Sequence, residues 1–479
     1  MDAFIEGLGS VIGTVDGWLW SWPLIIVLVG THLYMTIRTG FIQRKIGTAI
    51  KLSFKKDENA EGNISQFGAL TTALSATIGT GNIVGVATAV VCGGVGAILW
   101  MWLIGILGIA TKYAETYISV KYRVKDHKGD MLGGAMYALE RGFPGQKWAK
   151  ITAICFAVFA ALASFGIGAA VQSNSVTGII NQYAPGIPMW VVGLVIAGFV
   201  ALVVFGGIKS ISRVCEKIVP FMAIFYVLCC IIIIGMNGAY LGAALKWIVV
   251  CAFTPKAMVG GGAGFAVMTA LRYGAARGLF SNESGMGSAP LAAANAATRN
   301  PARQALVSMT GTFWDTVVIC LITGLTLTTS ILANGDISAA YAAGGFAKGL
   351  ELTVACFGQV PVFGPFVLIV GMVLFSYTTM LGWSWYGNRV VAYLFGKKAL
   401  NAYQIIFILF IIIATLSAGS ALASAAWDFA DIMNGLMVVP NCIAMWALAK
   451  VIGDGTKHYV YDGNLDEKEE VDIPTIESK

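Results

Sequence analysis

Residues 75–82 read Ser-Ala-Thr-Ile-Gly-Thr-Gly-Asn, a set of types and spacings suited to holding a polar group rather than to bond-making chemistry. Ser75, Thr77, Thr80 and Asn82 offer hydroxyl and amide groups, while Gly79 and Gly81 remove side-chain shielding and weaken a helix. The stretch lies inside an apolar run, 67–91, long enough to cross a bilayer at ~1.5 Å per helical residue. Hydrocarbon does not solvate such groups, and irregular backbone at membrane depth is tolerated only where protein buries it or where it lines a cavity. The spacing therefore predicts a helix broken near its centre, with freed N–H and C=O groups facing a site. The structural alternative is a glycine seam for close helix packing.

A second interruption falls in the run 263–297, where residues 278–290 contain Gly278, Ser281, Asn282, Glu283, Ser284, Gly285 and Gly287. Two glycine-interrupted spans in corresponding halves of a chain point to an inverted repeat with a site near the bilayer midplane.

The elements that must position these residues follow from composition. The chain has 479 residues, 57% hydrophobic and 12% charged, against about 25% charged for a soluble domain. It is predicted to be an all-α polytopic membrane protein. The three histidines, His32, His127 and His458, are far apart, which argues against paired-imidazole catalysis or zinc; the chain is not expected to be an enzyme. The nine cysteines lie mostly in apolar runs without a C-x-x-C pair and read as small buried hydrophobes. The net charge of +6 calls for no nucleic-acid partner, because its distribution has another cause. No signal peptide is evident at the start of the chain.

Eleven apolar segments reach spanning length: 18–37, 67–91, 95–120, 150–180, 187–206, 214–236, 263–297, 306–331, 362–392, 402–418 and 425–449. Most of the 31 basic residues fall in alternate connections: 38–56, 121–150, 209–217, 299–303, 389–398 and the tail. Only Lys246, Lys256 and Lys348 occupy the other side. Basic loops stay cytoplasmic, so the N-terminus is expected outside and the C-terminus inside a multi-pass protein of the cell membrane, in contact with its lipids. With segment 1–37 set aside as one extra helix, the remaining ten spans form two sets of five. Residues 67–236 open on the broken span 67–91, and residues 263–449 open on the broken span 263–297; the two sets enter from opposite sides. Residues 450–479 read as a charged, disordered cytoplasmic tail.

The run Gly93-Gly94-Val95-Gly96-Ala97-Ile98-Leu99-Trp100-Met101-Trp102 resembles the signature of the alanine or glycine:cation symporters, the sodium–alanine symporter family. Phenylalanine is usual where this chain has Leu99, a mild departure at an apolar position. Residues 75–82 and 281–285 are similar to the same family, and the resemblance runs from about Phe67 to Ala449. It implies a leucine-transporter-type fold that imports alanine or glycine with sodium as the co-transported ion.

An amino acid is a zwitterion, so such a site must solvate both charges. Thr80, Gly81 and Asn82 would present a half-helix N-terminus to the carboxylate. Gly278, Ser281 and Asn282 would offer carbonyls and side chains to the ammonium; Glu283 either pairs with the ammonium or, the favoured reading, bonds N–H groups of the break. Phe165 and Gln172, seven apart and hence on one helix face, and Trp383 are candidate walls; Gln172 either bonds the substrate or braces a neighbour. Carried over by position, sodium would take carbonyls of Ser75 and Ile78 and the hydroxyls of Thr378 and Thr379, with Thr77 beside a second ion. The alternative for the two threonines is bonding to the preceding turn. Glu115, Asp315, Asp428 and Asp431 are intramembrane acids, either functional or paired with Arg272 and Arg277. The rival readings are proton coupling on the same fold, with Glu283 or Asp315 titrating, and an amino-acid-sensing membrane receptor.

Overall fold

Each apolar run of the sequence becomes helix, because a chain in hydrocarbon must satisfy its backbone internally. The computed structural model describes residues 2–55, 57, 60–254, 263–344, 349–469 and 473–476. Among the described residues, eight helices are long and apolar enough to span a membrane, and a bent pair brings the count to nine. The bent pair is Gln66–Thr77 with Gly81–Gly93, turned by 52°. Two of the eleven expected spans fall short of that measure. Met189–Val204 is apolar but has 16 residues. The 263–297 run is divided into Ala263–Asn282 and the short Ala289–Ala293.

Three of the spans carry π-helical turns, which widen the helix and free backbone groups, often at functional sites. They are Gly81–Gly85 in the second span, Ser164–Ala170 in Lys147–Tyr183, and Phe313–Cys320 in Pro301–Ala333. The spans bearing them pack on Ala97–Lys121 and on the long Phe363–Phe395 helix. Leu194, Phe199, Leu202, Phe221, Ile224 and Leu228, on Met189–Val204 and Gly207–Met236, are exposed. That apolar surface is what contact with lipid tails requires, whereas the same residues facing water would be costly.

Two expectations are revised. The segment before the second span is not one helix but Asp2–Leu19 followed by Trp22–Arg38; the first packs along Ala421–Ala447, and the Trp20 indole donates to the Asp431 carbonyl at 3.1 Å. Over residues 450–469 and 473–476 the tail is ordered rather than disordered. It continues as helix over Ala449–Thr456 and then lies across the loops. Asn300 Nδ2 donates to the Leu465 and Glu467 carbonyls at 2.8 and 2.9 Å, and the Lys125 N–H bonds the Pro474 carbonyl at 2.9 Å. Polar composition was misleading here because the tail pairs with basic loops, as Glu469 does with Lys121, while Val460, Leu465 and Ile476 pack against the core. Lys56, Lys256, Lys348 and Glu470, which entered the topology and tail expectations, lie outside the described residues.

Candidate functional site

The first break begins at Ile78, which leaves helical geometry at ψ 93° while its N–H still reaches the Leu74 carbonyl at 2.7 Å. Asn82 closes the turn on itself. Its Oδ1 accepts from the Gly79 N–H at 2.9 Å, and its own N–H bonds the Gly79 carbonyl at 3.2 Å. Here glycine is obligatory for space: a Cβ on Gly79 would lie 2.5 Å from Thr379 Oγ1.

The second break follows Asn282. Glu283, Gly285 and Gly287 take φ of 55°, 96° and 78°; this region is easy for glycine and strained for glutamate. The third span, Ala97–Lys121, supplies the brace. Lys112 Nζ donates to the Glu283 carbonyl at 3.0 Å and pairs with Glu115 Oε1 at 3.0 Å. Glu115 Oε2 accepts from the N–H groups of Gly285 and Gly287, both at 3.1 Å, and from Asn441 Nδ2 at 2.8 Å. A cation thus meets the free carbonyl at one helix end and a carboxylate collects the freed N–H groups, the arrangement that end charges favour. The expectation for Glu283 is corrected: the acid that bonds N–H groups of the break is Glu115. The Glu283 carboxylate instead accepts the Ser288 hydroxyl at 2.5 Å.

The two breaks meet at Asp315, in the π turn of the eighth span. Its Oδ1 accepts from Asn82 Nδ2 at 2.7 Å, and its Oδ2 from Ser281 Oγ at 2.9 Å and Thr316 Oγ1 at 2.7 Å. Asn282 Nδ2 donates to Thr316 Oγ1 at 3.0 Å, and a Cβ on Gly81 would lie 3.2 Å from Ser281 Cα. Asp315 is fully buried, and among the described residues no cation pairs with it. Among the described residues, the hydroxyls of Thr80 and Thr379, in and against the first break, are buried without a hydrogen-bond partner, as are Ser376 Oγ and Gln172 Oε1. Buried polar groups in native proteins are nearly always satisfied. Orphans in and against a helix break mark a place for a polar or ionic occupant.

The model of the sodium:alanine symporter family matches residues 5–473. The chain is 45% identical to the sodium/alanine symporter AgcS of Methanococcus maripaludis over 453 residues, 94% of this chain and 97% of that one. It is 46% identical to an uncharacterised transporter of Haemophilus influenzae over 456 residues, 94% and 96% of the two chains. The crystal structure of MhsT in complex with L-phenylalanine superposes with a TM-score of 0.55 at 17% identity, covering 85% of this chain and 99% of that one. That likeness carries the leucine-transporter-type fold. The chain belongs to the sodium:alanine symporter family. Its members are transporters, and the chain is a membrane carrier rather than an enzyme.

Within this symporter the sequence-predicted residues separate into three groups. Thr80, Gly81, Asn82, Ser281 and Asn282 are brought together around Asp315 and Thr316, as described above. Ser75, Ile78 and Thr379 gather where the ninth span crosses the first break, at the close approach of Gly382 to Ala76 and Ser75. Thr379 keeps a free hydroxyl, whereas Thr378 donates to the Leu374 and Phe375 carbonyls at 3.0 and 3.1 Å. Thr77 likewise donates to Ala73 and Leu74, both at 3.3 Å, and Ser75 to Thr72 at 2.8 Å. Gln172 Nε2 donates to the Ile167 carbonyl at 3.1 Å, five residues back, and so braces the π turn. Trp383 is fully buried against Gly168 and Tyr386.

Two predicted residues stand apart from the junction. The ring of Phe165 packs on Tyr403, Phe407 and Phe410, with centroids 5.5, 6.1 and 5.5 Å away. Gly278 packs on Met101 of the third span. Of the intramembrane acids, Asp431 pairs with Arg277, the structural one of the two readings left open for it. Sequence reading missed Lys112 and Asn441 and did not see what Glu115 bonds. The available signal was a lysine and a glutamate at i,i+3 inside an apolar run, a spacing that puts them side by side.

Proposed function

We propose that the protein imports alanine, and glycine as a smaller alternative, together with sodium, by alternating access across the cell membrane. Eleven spans, the last ten in a five-plus-five inverted repeat, would place the N-terminus outside and the C-terminus in the cytoplasm. The relative named a sodium/alanine symporter, AgcS, supports this substrate and ion. The observation that carries the reading is the buried Asp315 carboxylate, which joins both helix breaks and has no ion-pair partner among the described residues.

Thr80 and Gly81, at the start of the resumed helix, would receive the substrate carboxylate with their N–H groups and the Thr80 hydroxyl. Ser281 and Asn282, at the end of the other half-helix, would present carbonyl oxygens to the ammonium, where the helix dipole favours positive charge. Sodium is a hard cation that takes oxygen ligands. Its first place would be the crossing of Ser75, Ile78 and Thr379, with Thr378 contributing the second lone pair of a hydroxyl already bonded to its own helix. A second ion beside Thr77 and Asn82 would be neutralised by Asp315. Trp383 and Gln172 would bound the space left for a side chain, and only a small one would fit. Sodium bound at the first break would fix its geometry before substrate arrives, so that each ligand raises the affinity of the other. Its entry down the electrical gradient would add ~2.3 kcal/mol per charge per 100 mV. The bundle carrying the two breaks would then rock against the rest.

Uptake of radiolabelled alanine into proteoliposomes tests this directly, with an inward sodium gradient set against potassium-only and pH-gradient controls. Accumulation only with sodium is expected. Accumulation that follows the pH gradient without sodium would transfer the coupling role to Asp315 or Glu283. No alanine or glycine uptake under any gradient would overturn the substrate assignment.

A further inference from the structure

A cleft of about 640 Å³ lies beneath the docked tail, away from the helix breaks, and its lining is dominated by cations. Lys121, Arg123, Lys125, Arg141, Arg299 and Lys468 line it, with Glu61 and Glu469 as the acids. Three of the cations are paired: Lys121 with Glu469, Lys125 with Glu61 at 2.5 Å, and Arg299 with Asp57 at 2.6 Å. The other three have no carboxylate at ion-pair distance among the described residues. Arg123 spends its guanidinium on the carbonyls of Ala294, Ala296, Glu61 and Thr298, at 2.7–3.4 Å. Arg141 donates to the Arg123 carbonyl at 2.8 Å, and Lys468 is exposed at the rim. The N-terminus of Pro301–Thr312, capped by Asn300, adds its positive end to the same wall. Burial pushes the Arg123 guanidinium down to about 10, against the opposing pull of Glu61 and Glu469.

We propose that this cleft is a binding site for a phosphate-bearing anion. Forked guanidinium groups, lysines on flexible stems and a helix N-terminus are the donors that phosphate oxygens select, and the volume admits more than a single phosphate group. The site draws on the loop before the second span, the end of the third span, the connection before the eighth span, and the tail. An occupant would therefore tie together segments flanking both broken helices. The same chemistry is offered by an anionic lipid headgroup and by a soluble phosphate compound.

The test uses the purified full-length protein in detergent, with thermal unfolding followed against inorganic pyrophosphate and against sulfate at matched ionic strength. The expected result is a saturable stabilisation by pyrophosphate that exceeds that of sulfate. In the variant combining Arg141→Gln and Lys468→Gln, the half-saturating concentration should rise about tenfold, the loss of one or two charge-assisted bonds. Stabilisation by alanine with sodium should be unchanged in that variant, which shows that it is folded. The titration is repeated in nanodiscs of phosphatidylcholine with and without phosphatidylglycerol. Loss of the pyrophosphate effect only in phosphatidylglycerol discs assigns the site to a lipid headgroup, and its persistence there assigns it to a soluble phosphate. Equal stabilisation by sulfate and pyrophosphate, or equal affinity in the variant, would overturn the proposal and leave these cations a role in loop pairing alone.

Discussion

Thr378 and Thr379 are adjacent in sequence and identical in chemistry, yet the structure treats them differently. Thr378 has already given its hydroxyl to its own helix, and Thr379 holds its hydroxyl against Gly79 with no partner. Thr379→Ala is therefore expected to raise the sodium concentration for half-maximal alanine uptake at least tenfold, about 1.4 kcal/mol of lost ion binding. Thr378→Ala should stay within about threefold, because it removes a bond that the helix itself supplies. A Thr379→Ala effect of about threefold or less in a sodium titration would show that the hydroxyl at Gly79 is no ligand. Asp315→Asn keeps the hydrogen-bonding shape but removes the charge. Loss of sodium-driven uptake with normal folding is the expected outcome, and retention of full sodium dependence would dismiss Asp315 as the counter-charge. The first break stood out in the sequence because glycine, threonine and asparagine cluster there inside an apolar run. Which hydroxyl stays free was not legible, since adjacent helical positions differ only in what the neighbouring helix brings against them. Phe165 shows the same limit: an aromatic on a predicted face gives no sign that Tyr403, Phe407 and Phe410 will enclose it.

At the scale of the element, the second break depends on a helix that is not itself broken. Lys112 and Glu115 reach from the third span to opposite ends of the unwound segment, and Asn441 ties the eleventh span to the same carboxylate. Both charges are buried. Removing one of a buried pair leaves the other uncompensated and costs roughly 3–5 kcal/mol, while removing both costs less. Lys112→Met is accordingly expected to lower the unfolding temperature in detergent more than the double change Lys112→Met with Glu115→Gln. The double variant should still transport poorly, because Glu283 at positive φ loses the ammonium that holds its carbonyl. A double variant no more stable than the single one would show that the pair does not act as a unit. The sequence made both breaks visible through their glycines, since a glycine cluster weakens any helix. It did not identify their brace, because capping partners of an interrupted helix come from wherever the fold brings a charge. The span count has a similar origin. Apolar length marked Met189–Val204 and the 263–297 run as spans, but the 16-residue helix and the break at Glu283 are fixed by packing and by local φ.

At the scale of the whole molecule, the tail connects parts that are distant in sequence. Asp466 bonds Arg303 at 2.6 Å, Glu469 pairs with Lys121, and the Glu469 N–H bonds the Arg299 carbonyl at 2.9 Å. Composition alone reads an acidic C-terminal segment as solvated and unstructured. The same acidity becomes adhesive once the positive-inside loops provide the complementary surface, which is a property of the assembled fold. The hydrogen bond from Arg303 holds the Asp466 carboxyl below the ordinary aspartate range. A depressed carboxylate contributes its docking strength above its unfolded value and loses it only as pH falls through the lower, folded one. Docking should thus be constant from pH 5 to pH 8. It should weaken with salt, because an exposed acid on a basic loop is screened within about 10 Å at 0.1 M ionic strength. Limited trypsin digestion at Lys457 and Lys468, read by mass spectrometry, measures tail release. Cleavage is expected to be slow and independent of pH across that range in low salt, faster in 0.5 M salt, and fast at all salt concentrations in Asp466→Asn. Cleavage that is equally fast in the native protein and in Asp466→Asn at low salt would mean that the tail is not held by this pair. Its other contacts, those with Asn300 and Lys125 and the pairing of Glu469 with Lys121, would then carry its attachment.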